Sequence, residues 1–370
     1  MKLINLLLLC IALVALKQNN AQTTNPNNTI QLALLLDVSG SMEGLINQAK
    51  TELWTIVNEV AKAKKDNENA RLEIALYEYG RQTNDASKGY VKKLLDYTSD
   101  LDTISQVLFS LHTNGGEEYC GWVIDDCLKE LQWRDNKELY KVIFIAGNEN
   151  FDQGVVNYNT ACSNASEKDI IVNTIHCGDS FTGVKGYWAN GAEIGNGKYF
   201  FINHNSNAYN IKTPFDSVIN IINDSLNTTY WAFGNNGKSY YENQKRQDDN
   251  ALYSGADIKA KRAFSKTNKV YDNKKWDVVD ANKNDSNFFI KTKDKDLPDE
   301  LKGKTIEEKK KLVKEKTMKR ESYSKEIQNL SIKREEYIKK LNTTNKDNTL
   351  GSSLIKAIRE QASSKGFVFE

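Results

Sequence analysis

Apolar runs of strand length alternate with amphipathic segments through the first 226 residues of the chain. Short, continuous apolar runs predict strands at 31–36, 72–79, 141–146, 170–176 and 198–203, with an edge strand at 90–95. Apolar residues at helical spacing predict helices at 45–64, 101–111, 121–132 and 214–226. Because strands alternate with helices, we expect an α/β fold with a doubly wound, mostly parallel sheet. Such sheets bind ligands at the carboxyl ends of their strands.

The second part of the chain is more polar. Residues 235–250 predict a loop, whereas 256–264 and 271–279 predict a helix and a smaller packed segment. A helix rich in Lys and Glu is predicted at 306–341, and an amphipathic helix at 350–362. We therefore expect a helical C-terminal appendage on the α/β domain.

The Lys- and Glu-rich helix carries a row of residues at heptad-like 4-3-4-3-4 spacing: Tyr323, Ile327, Leu330, Arg334, Tyr337 and Leu341. The row is shorter than the three to four heptads typical of a coiled coil. Two interpretations stay open, a short coiled coil and a solvated helix that packs one stripe on its own domain. The predicted division is an α/β domain at 23–232, a polar linker with a small packed segment at 233–304, and a helical region at 305–370.

Residues 1–22 have the pattern of an export signal. Lys2 precedes an apolar run at 3–16, and a polar stretch follows with the small residue Ala21 in its cleavage region. The run is shorter than the roughly 20 residues of a membrane span. A lipoprotein anchor at Cys10 is the alternative, but the bulky residues before Cys10 do not suit that signal. We expect a periplasmic or extracellular protein without a transmembrane segment.

Four cysteines follow the signal: Cys120, Cys127, Cys162 and Cys177. An even number in an exported chain favours disulfides. Cys120 and Cys127 would lie about 10 Å apart on one predicted helix, beyond the reach of a bridge. The two pairings that separate them stay open, and the short connection between Cys162 and Cys177 favours a bridge between those two.

A candidate metal site follows the first predicted strand. The apolar run 32–36 ends at Asp37, and Ser39 and Ser41 follow at alternate positions. Alternate residues of an extended segment project to one side, so three oxygen-bearing side chains can converge there. Hard divalent cations such as Mg²⁺ prefer oxygen ligands. The alternative is that a serine simply caps the next helix.

This Asp-x-Ser-x-Ser pattern resembles the metal-ion-dependent adhesion site of von Willebrand factor A (VWA) domains. The resemblance implies a second ligand loop at 113–121, with Glu118 at the ligand position and Thr113 or Glu117 as alternatives. Helix-dipole stabilisation is the alternative role for these glutamates. In the third loop Gly147 stands where the family usually has Asp, so Asn148 or Glu149 would reach the metal directly or through water.

The expected cofactor is a divalent cation, Mg²⁺ first, with Ca²⁺ or Mn²⁺ as alternatives. With 51 basic and 49 acidic side chains, the charge gives no case for nucleic-acid binding. The sequence carries no Walker loop, no Gly-x-Ser-x-Gly elbow and no zinc spacing, so we expect a non-enzyme. The resemblance implies a protein partner, captured through an acidic side chain. The alternative is a cell-envelope assembly or scaffold factor whose metal only orders the loops.

Overall fold

The protein is described by a computed structural model over residues 27–202, 211–344 and 350–369. The predicted export signal at 1–22, with Cys10, lies outside the described residues, as does Asn203 at the end of the last predicted strand. Six strands form the main sheet: β1 (Thr29–Asp37), β4 (Arg71–Tyr79), β5 (Lys92–Thr98), β6 (Tyr140–Gly147), β7 (Ile171–Cys177) and β8 (Tyr199–Ile202). They lie in the order β5-β4-β1-β6-β7-β8, and all neighbours are parallel except β4 and β5.

The strand order reverses next to β1. From β1 the chain first fills the sheet toward β5, and it then crosses back to place β6 on the other side of β1. This is the doubly wound arrangement, whose ligand-binding crevice opens at the carboxyl ends of the strands beside the reversal. The predicted α/β fold and the edge strand β5 are therefore confirmed, and Asp37 ends the strand at the reversal.

Helices cover both faces of the sheet. Alternate residues of β1 point to opposite faces, so Leu34 packs with one apolar cluster and Leu35 with the other. The Leu34 face contacts α1 (Ile46–Val60), α2 (Leu101–Ser110) and α7 (Asp216–Asn227). The Leu35 face contacts α3 (Cys120–Glu130), α4 (Tyr158–Glu167) and α6 (Trp188–Ile194), and a short α5 (Ser180–Lys185) precedes α6.

Two predicted elements differ in the structure. The helix expected at 45–64 ends at Val60, because the next residues form β2 (Ala63–Lys65), paired with β3 (Glu68–Asn69). The loop expected at 235–250 is wrong, since α8 (Gly237–Ser254) occupies it. The inner face of α8 is polar, with Gln244, Gln247 and Asp248 buried, so an apolar period was missing from its sequence.

A buried ionic network holds α8 in place. Arg262 of α9 (Ala256–Ser265) donates to Asp248 at 2.8 Å and also to Asp102 at the start of α2. Lys266 donates to Asp248 at 2.6 Å, and the Tyr271 hydroxyl donates to Asp102 at 2.7 Å. These contacts join the helices after residue 232 to the α/β sheet layer.

Of the four remaining helices, the last two pack on the main core, whereas the first two form a smaller apolar cluster with part of the third. They are α10 (Val278–Asn284), α11 (Phe288–Lys291), α12 (Ile306–Thr344) and α13 (Leu350–Ser363), followed by β9 (Val368–Phe369). Ile327 of α12 and Ile358 of α13 are fully buried in the same cluster as β1. Arg334 of α12 donates to Asp216 of α7 at 2.7 Å. The long helix thus packs one stripe on its own domain, as the second interpretation of its heptad-like row predicts.

Every cysteine in the described part of the chain is a buried free thiol. Cys162 lies in the apolar cluster on the α3 and α4 face of the sheet, whereas Cys177 points into the cluster on the α1 face. The structure therefore contradicts the predicted Cys162–Cys177 disulfide, because the sheet separates the two sulfur atoms. Within the described ranges, none of the helices combines the length and the apolar composition that crossing a membrane requires.

Candidate metal centre

Asp37 is the central acidic group of the candidate site. Its side chain is fully buried, and its Oδ1 atom accepts a hydrogen bond from the Ser39 backbone N–H at 2.8 Å. Its Oδ2 atom is buried without a hydrogen-bond partner. Burial raises the pKa of Asp37 to about 7, against the opposing effect of the hydrogen bond from Ser39 and of the nearby Asn148 backbone. Binding of a cation or a proton would stabilise this unpaired, buried carboxylate oxygen.

Ser39 and Ser41 lie beside this carboxylate in the turn after β1. Their hydroxyl oxygens are 2.9 Å apart, and the Ser41 hydroxyl donates to the Asn148 side-chain oxygen at 3.0 Å. Ser39 precedes the short 3₁₀ helix Gly40–Met42, yet its side chain makes no capping hydrogen bond there. The capping interpretation is therefore wrong for Ser39, whose hydroxyl is turned toward the site.

Glu118 joins the same cluster from the loop before α3. It is buried, and its pKa is raised to about 7 by burial and then by the charge of Asp37, while a hydrogen bond with the Ser39 side chain opposes the shift. The first turn of α3 contains no acidic residue, because Glu118 lies before the Tyr119 cap position. This placement favours a role in the site over the helix-dipole alternative.

Gly80 makes room for the two carboxylates. A Cβ atom at this position would lie 2.8 Å from Asp37 Oδ1 and 3.1 Å from Glu118 Cγ. Its φ of +78° also lies in the left-handed region that favours glycine. Gly80 follows the predicted strand 72–79 directly, but its role depends on the pairing of β4 with β1, which the sequence does not state.

The packing of Tyr79 explains why Gly147 stands in the third loop, where the VWA pattern usually has Asp. A Cβ atom there would lie 2.4 Å from the Tyr79 hydroxyl oxygen and 3.0 Å from Asp37 Cβ. The Tyr79 hydroxyl fills this space and donates to the Ala146 carbonyl at 3.0 Å. No side chain fits at residue 147 in this arrangement, so the missing Asp is a packing consequence of Tyr79.

The other predicted site residues lie around this cluster: Asn148, Glu149, Glu117 and Thr113. Asn148 contacts Ser41 directly, as described above. Glu149 raises the pKa values of both Asp37 and Glu118 through its charge, and the exposed Glu117 raises that of Glu118. Thr113 is half-buried in the second loop, where the neighbouring Asn114 N–H donates to the Val38 carbonyl at 2.8 Å.

The third loop is braced from the side of β7. Asn148 and Asp179 place their backbone oxygens 3.2 and 3.1 Å from the two ring nitrogens of His176. The Trp188 indole N–H donates to the Glu149 carbonyl at 2.7 Å. Burial lowers the pKa of His176, while the two carbonyl oxygens oppose this shift. These contacts were not predicted, because they depend on tertiary packing.

The donor set fits a hard divalent cation. Two carboxylates, two hydroxyls and an amide oxygen meet at the strand reversal, and one carboxylate oxygen there has no protein partner. Among the described residues, no three His, Cys, Asp or Glu side chains form a metal-holding group. Any cation at this position would therefore depend on neutral oxygens and water besides Asp37 and Glu118.

No protein-family model matches the chain, and no curated protein matches it. It is similar to the solved structure of BatB from Bacteroides thetaiotaomicron, at 18% identity and a TM-score of 0.37, with 48% of this chain and 92% of that chain covered. The SpRpn10 VWA domain is 16% identical, with coverages of 47% and 88% and a TM-score of 0.34. Manganese-loaded TRAP from Plasmodium vivax is 16% identical, with coverages of 48% and 70% and a TM-score of 0.33. The predicted doubly wound α/β fold, which these VWA structures share, is confirmed by the strand order given above.

Proposed function

We propose that the protein is an exported, non-enzymatic protein-binding module that holds a divalent cation at the carboxyl end of β1. Asp37 and Glu118 would be its charged ligands, with Ser39, Ser41 and Asn148 contributing neutral oxygens. When bound, the cation supplies a fixed positive charge that orders three loops and makes one binding face. Mg²⁺ is the first expected ion, with Mn²⁺ and Ca²⁺ as alternatives.

The observation that carries this proposal is the unpartnered Oδ2 atom of Asp37. Leaving a buried polar atom unpaired costs about 1–3 kcal/mol, and more when the group is charged. The charge of Asp37 also raises the pKa of Glu118, because two like charges in one buried site repel each other. A cation bound by both carboxylates would remove their repulsion and pair with the unpartnered oxygen. The two carboxylates therefore destabilise the site without a cation and stabilise the site that holds one.

The position of the cluster supports binding to another protein. Ser41 and Gly40 are exposed while Asp37 and Ser39 are buried, so the site is shallow and can be reached from solvent at its Ser41 side. Three loops from separate parts of the sequence meet there. The affinity of a partner that contacts all three loops would therefore depend on whether the cation is bound.

The metal site is tested by calorimetric titration of Mg²⁺ and Mn²⁺ into the purified chain. Asp37→Ala should abolish measurable binding of either ion while the circular dichroism spectrum keeps its helical and strand signals. Asp249→Ala, at an exposed position on α8, is the matched control and should bind like the parent. Unchanged affinity in the Asp37 variant would refute the assignment.

Export is tested separately from metal binding. The proposal expects removal of the segment 1–22, so the N-terminal sequence of protein recovered from the periplasm or medium should begin near Gln22 or Thr23. Recovery of the uncleaved chain from the cytoplasm alone would contradict export and leave the metal site unaffected.

A further inference from the structure

The rim of the candidate metal centre carries more negative charge than one divalent cation neutralises. Asp37 and Glu118 form its centre, and the charges of Glu117 and Glu149 reach them from the rim. With four ionised carboxylates and one divalent cation, this end of the sheet keeps a formal charge of about −2. Arg81, which follows Gly80, is already held by both carboxylate oxygens of Glu78 at 2.9 Å. An incoming carboxylate would therefore meet net repulsion.

An exposed apolar surface adjoins this rim. We call it the rim patch, and it consists of Val155, Phe181, Val184 and Tyr187, with exposed fractions of 84%, 66%, 52% and 44%. Lys185 places its ammonium group 4.4 Å from the centre of the Phe181 ring, and much of that ring stays exposed beside it. Exposed apolar side chains grouped in this way mark interaction surfaces.

The rim patch is continuous with the metal loops through direct contacts. The Phe151 N–H donates to the Gly186 carbonyl at 2.8 Å, which ties the loop after Glu149 to the end of α5. Gly154, next to Val155, packs so closely on the Tyr119 ring that a Cβ atom there would lie 2.6 Å from it. The loops that carry Glu117 and Glu149 therefore border the patch.

We propose that this face binds a protein segment in which Lys or Arg lies within a few residues of an aromatic or aliphatic side chain. The proposal rests on the proposed metal-binding function and specifies its partner. The basic group would contact Glu117 and Glu149, and the apolar group would cover Phe181 and Val184. It departs from the acidic partner side chain that the family resemblance implies, because Glu118 and the rim carboxylates already satisfy the cation's charge.

The test is selection of a phage-displayed random peptide library on the purified chain in millimolar Mg²⁺. We expect enriched peptides that combine Lys or Arg with aromatic or aliphatic residues. A synthetic copy of one such peptide should lose about tenfold in affinity when its basic residues are replaced by Glu. High salt should weaken its binding, because the attraction at this rim is screened.

Surface variants locate the peptide on the molecule. Phe181→Ser combined with Val184→Ser should remove peptide binding while the affinity for Mn²⁺ stays at the parent value. Ile332→Ser, at an exposed apolar position on α12, should change neither. Enrichment of acidic peptides, no enrichment, or binding that survives the Phe181 and Val184 changes would each overturn the proposal. Failure of the parent to bind Mn²⁺ would instead contradict the proposed metal site. Failure of the metal site is thus distinguishable from failure of the peptide-binding proposal.

Discussion

The hydroxyl group of Tyr79 occupies the space that a side chain on Gly147 would need, with only 2.4 Å between its oxygen and a Cβ atom built at residue 147. Tyr79 ends β4 and Gly147 ends β6, the two strands that flank β1, and Tyr79 is paired with Asp37 in the strand register. The usual family residue at position 147 and a tyrosine at position 79 therefore exclude each other in this packing.

The first prediction is that Gly147→Ala destabilises the protein by about 1–3 kcal/mol, the usual cost of inserting an atom into a packed site. Tyr79→Phe removes the clashing hydroxyl, so the double variant should be less destabilised than the sum of the two single variants. Urea unfolding of the four proteins measures this coupling. Simple additivity would show that the two groups do not compete for space.

The second prediction concerns Glu118→Thr, which introduces the residue type that the family usually has in this loop. Mn²⁺ binding should weaken, because Asp37 would remain as the single buried carboxylate at the centre of the site. Isothermal calorimetry measures the affinity. Glu117→Thr is the matched control from the adjacent, exposed position and should weaken binding less. A parent-like affinity in Glu118→Thr would mean that Glu118 does not contact the ion.

The third prediction is a pH dependence of stability that originates at Glu52 on α1. Burial, opposed by the charge of Lys261, raises the pKa of Glu52 from 4.5 to about 7, and its Oε2 atom has no hydrogen-bond partner. The folded state therefore binds this proton more tightly than the unfolded state does. Stability from this group is full below pH 4.5 and falls as pH rises through 7, by about 3 kcal/mol in total.

Thermal unfolding of Glu52→Gln tests this assignment. Relative to the parent, the variant should gain in melting temperature between pH 5 and pH 8, since it cannot ionise in its buried position. Glu307→Gln, at an exposed position on α12, should follow the parent at both pH values. An equal effect of Glu52→Gln at the two pH values would contradict the assignment.

The fourth prediction tests the buried ionic network. Arg262→Met leaves Asp102 and Asp248 without their shared guanidinium partner, and we expect a loss of about 3–5 kcal/mol of unfolding free energy. Arg246→Met, at an exposed position on α8, should cost little. Urea denaturation compares the two. A similarly small loss for both would show that the network does not hold α8 and α9 to α2.

Much of the site could be predicted from the sequence because its spacing is local. Asp37, Ser39 and Ser41 follow strand alternation, and Glu118 follows from the resemblance to VWA domains, which implies a ligand loop before α3. Tyr79 and Gly80 were missed as site residues, since their effect depends on the register of β4 against β1. Gly147 was recognised as a departure, but its cause, the Tyr79 hydroxyl, belongs to another strand.

The fold was predictable where burial is apolar and periodic, as in β1, β6 and β7. It was not predictable at α8, whose inner face buries Gln244, Gln247 and Asp248. Asp248 is stable there because Arg262 and Lys266 donate to it from other segments, and the Gln244 side chain donates to the Tyr271 hydroxyl. The sequence of a helix with a polar inner face resembles that of a loop, because the residues that pair with this face lie in other segments.

The packing of α13 and β9 onto α1 and β2 also sets an order of events during synthesis. Arg359 of α13 donates to Glu59 of α1 at 2.6 Å, and β9 pairs with β2 close to the end of α1. The ribosome synthesises α1 long before residues 350–369. The outer surface of α1 therefore stays exposed while nearly 300 further residues are translated. A nascent chain stalled before α13 would leave this surface of α1 exposed, and it would be a target for chaperones and proteases.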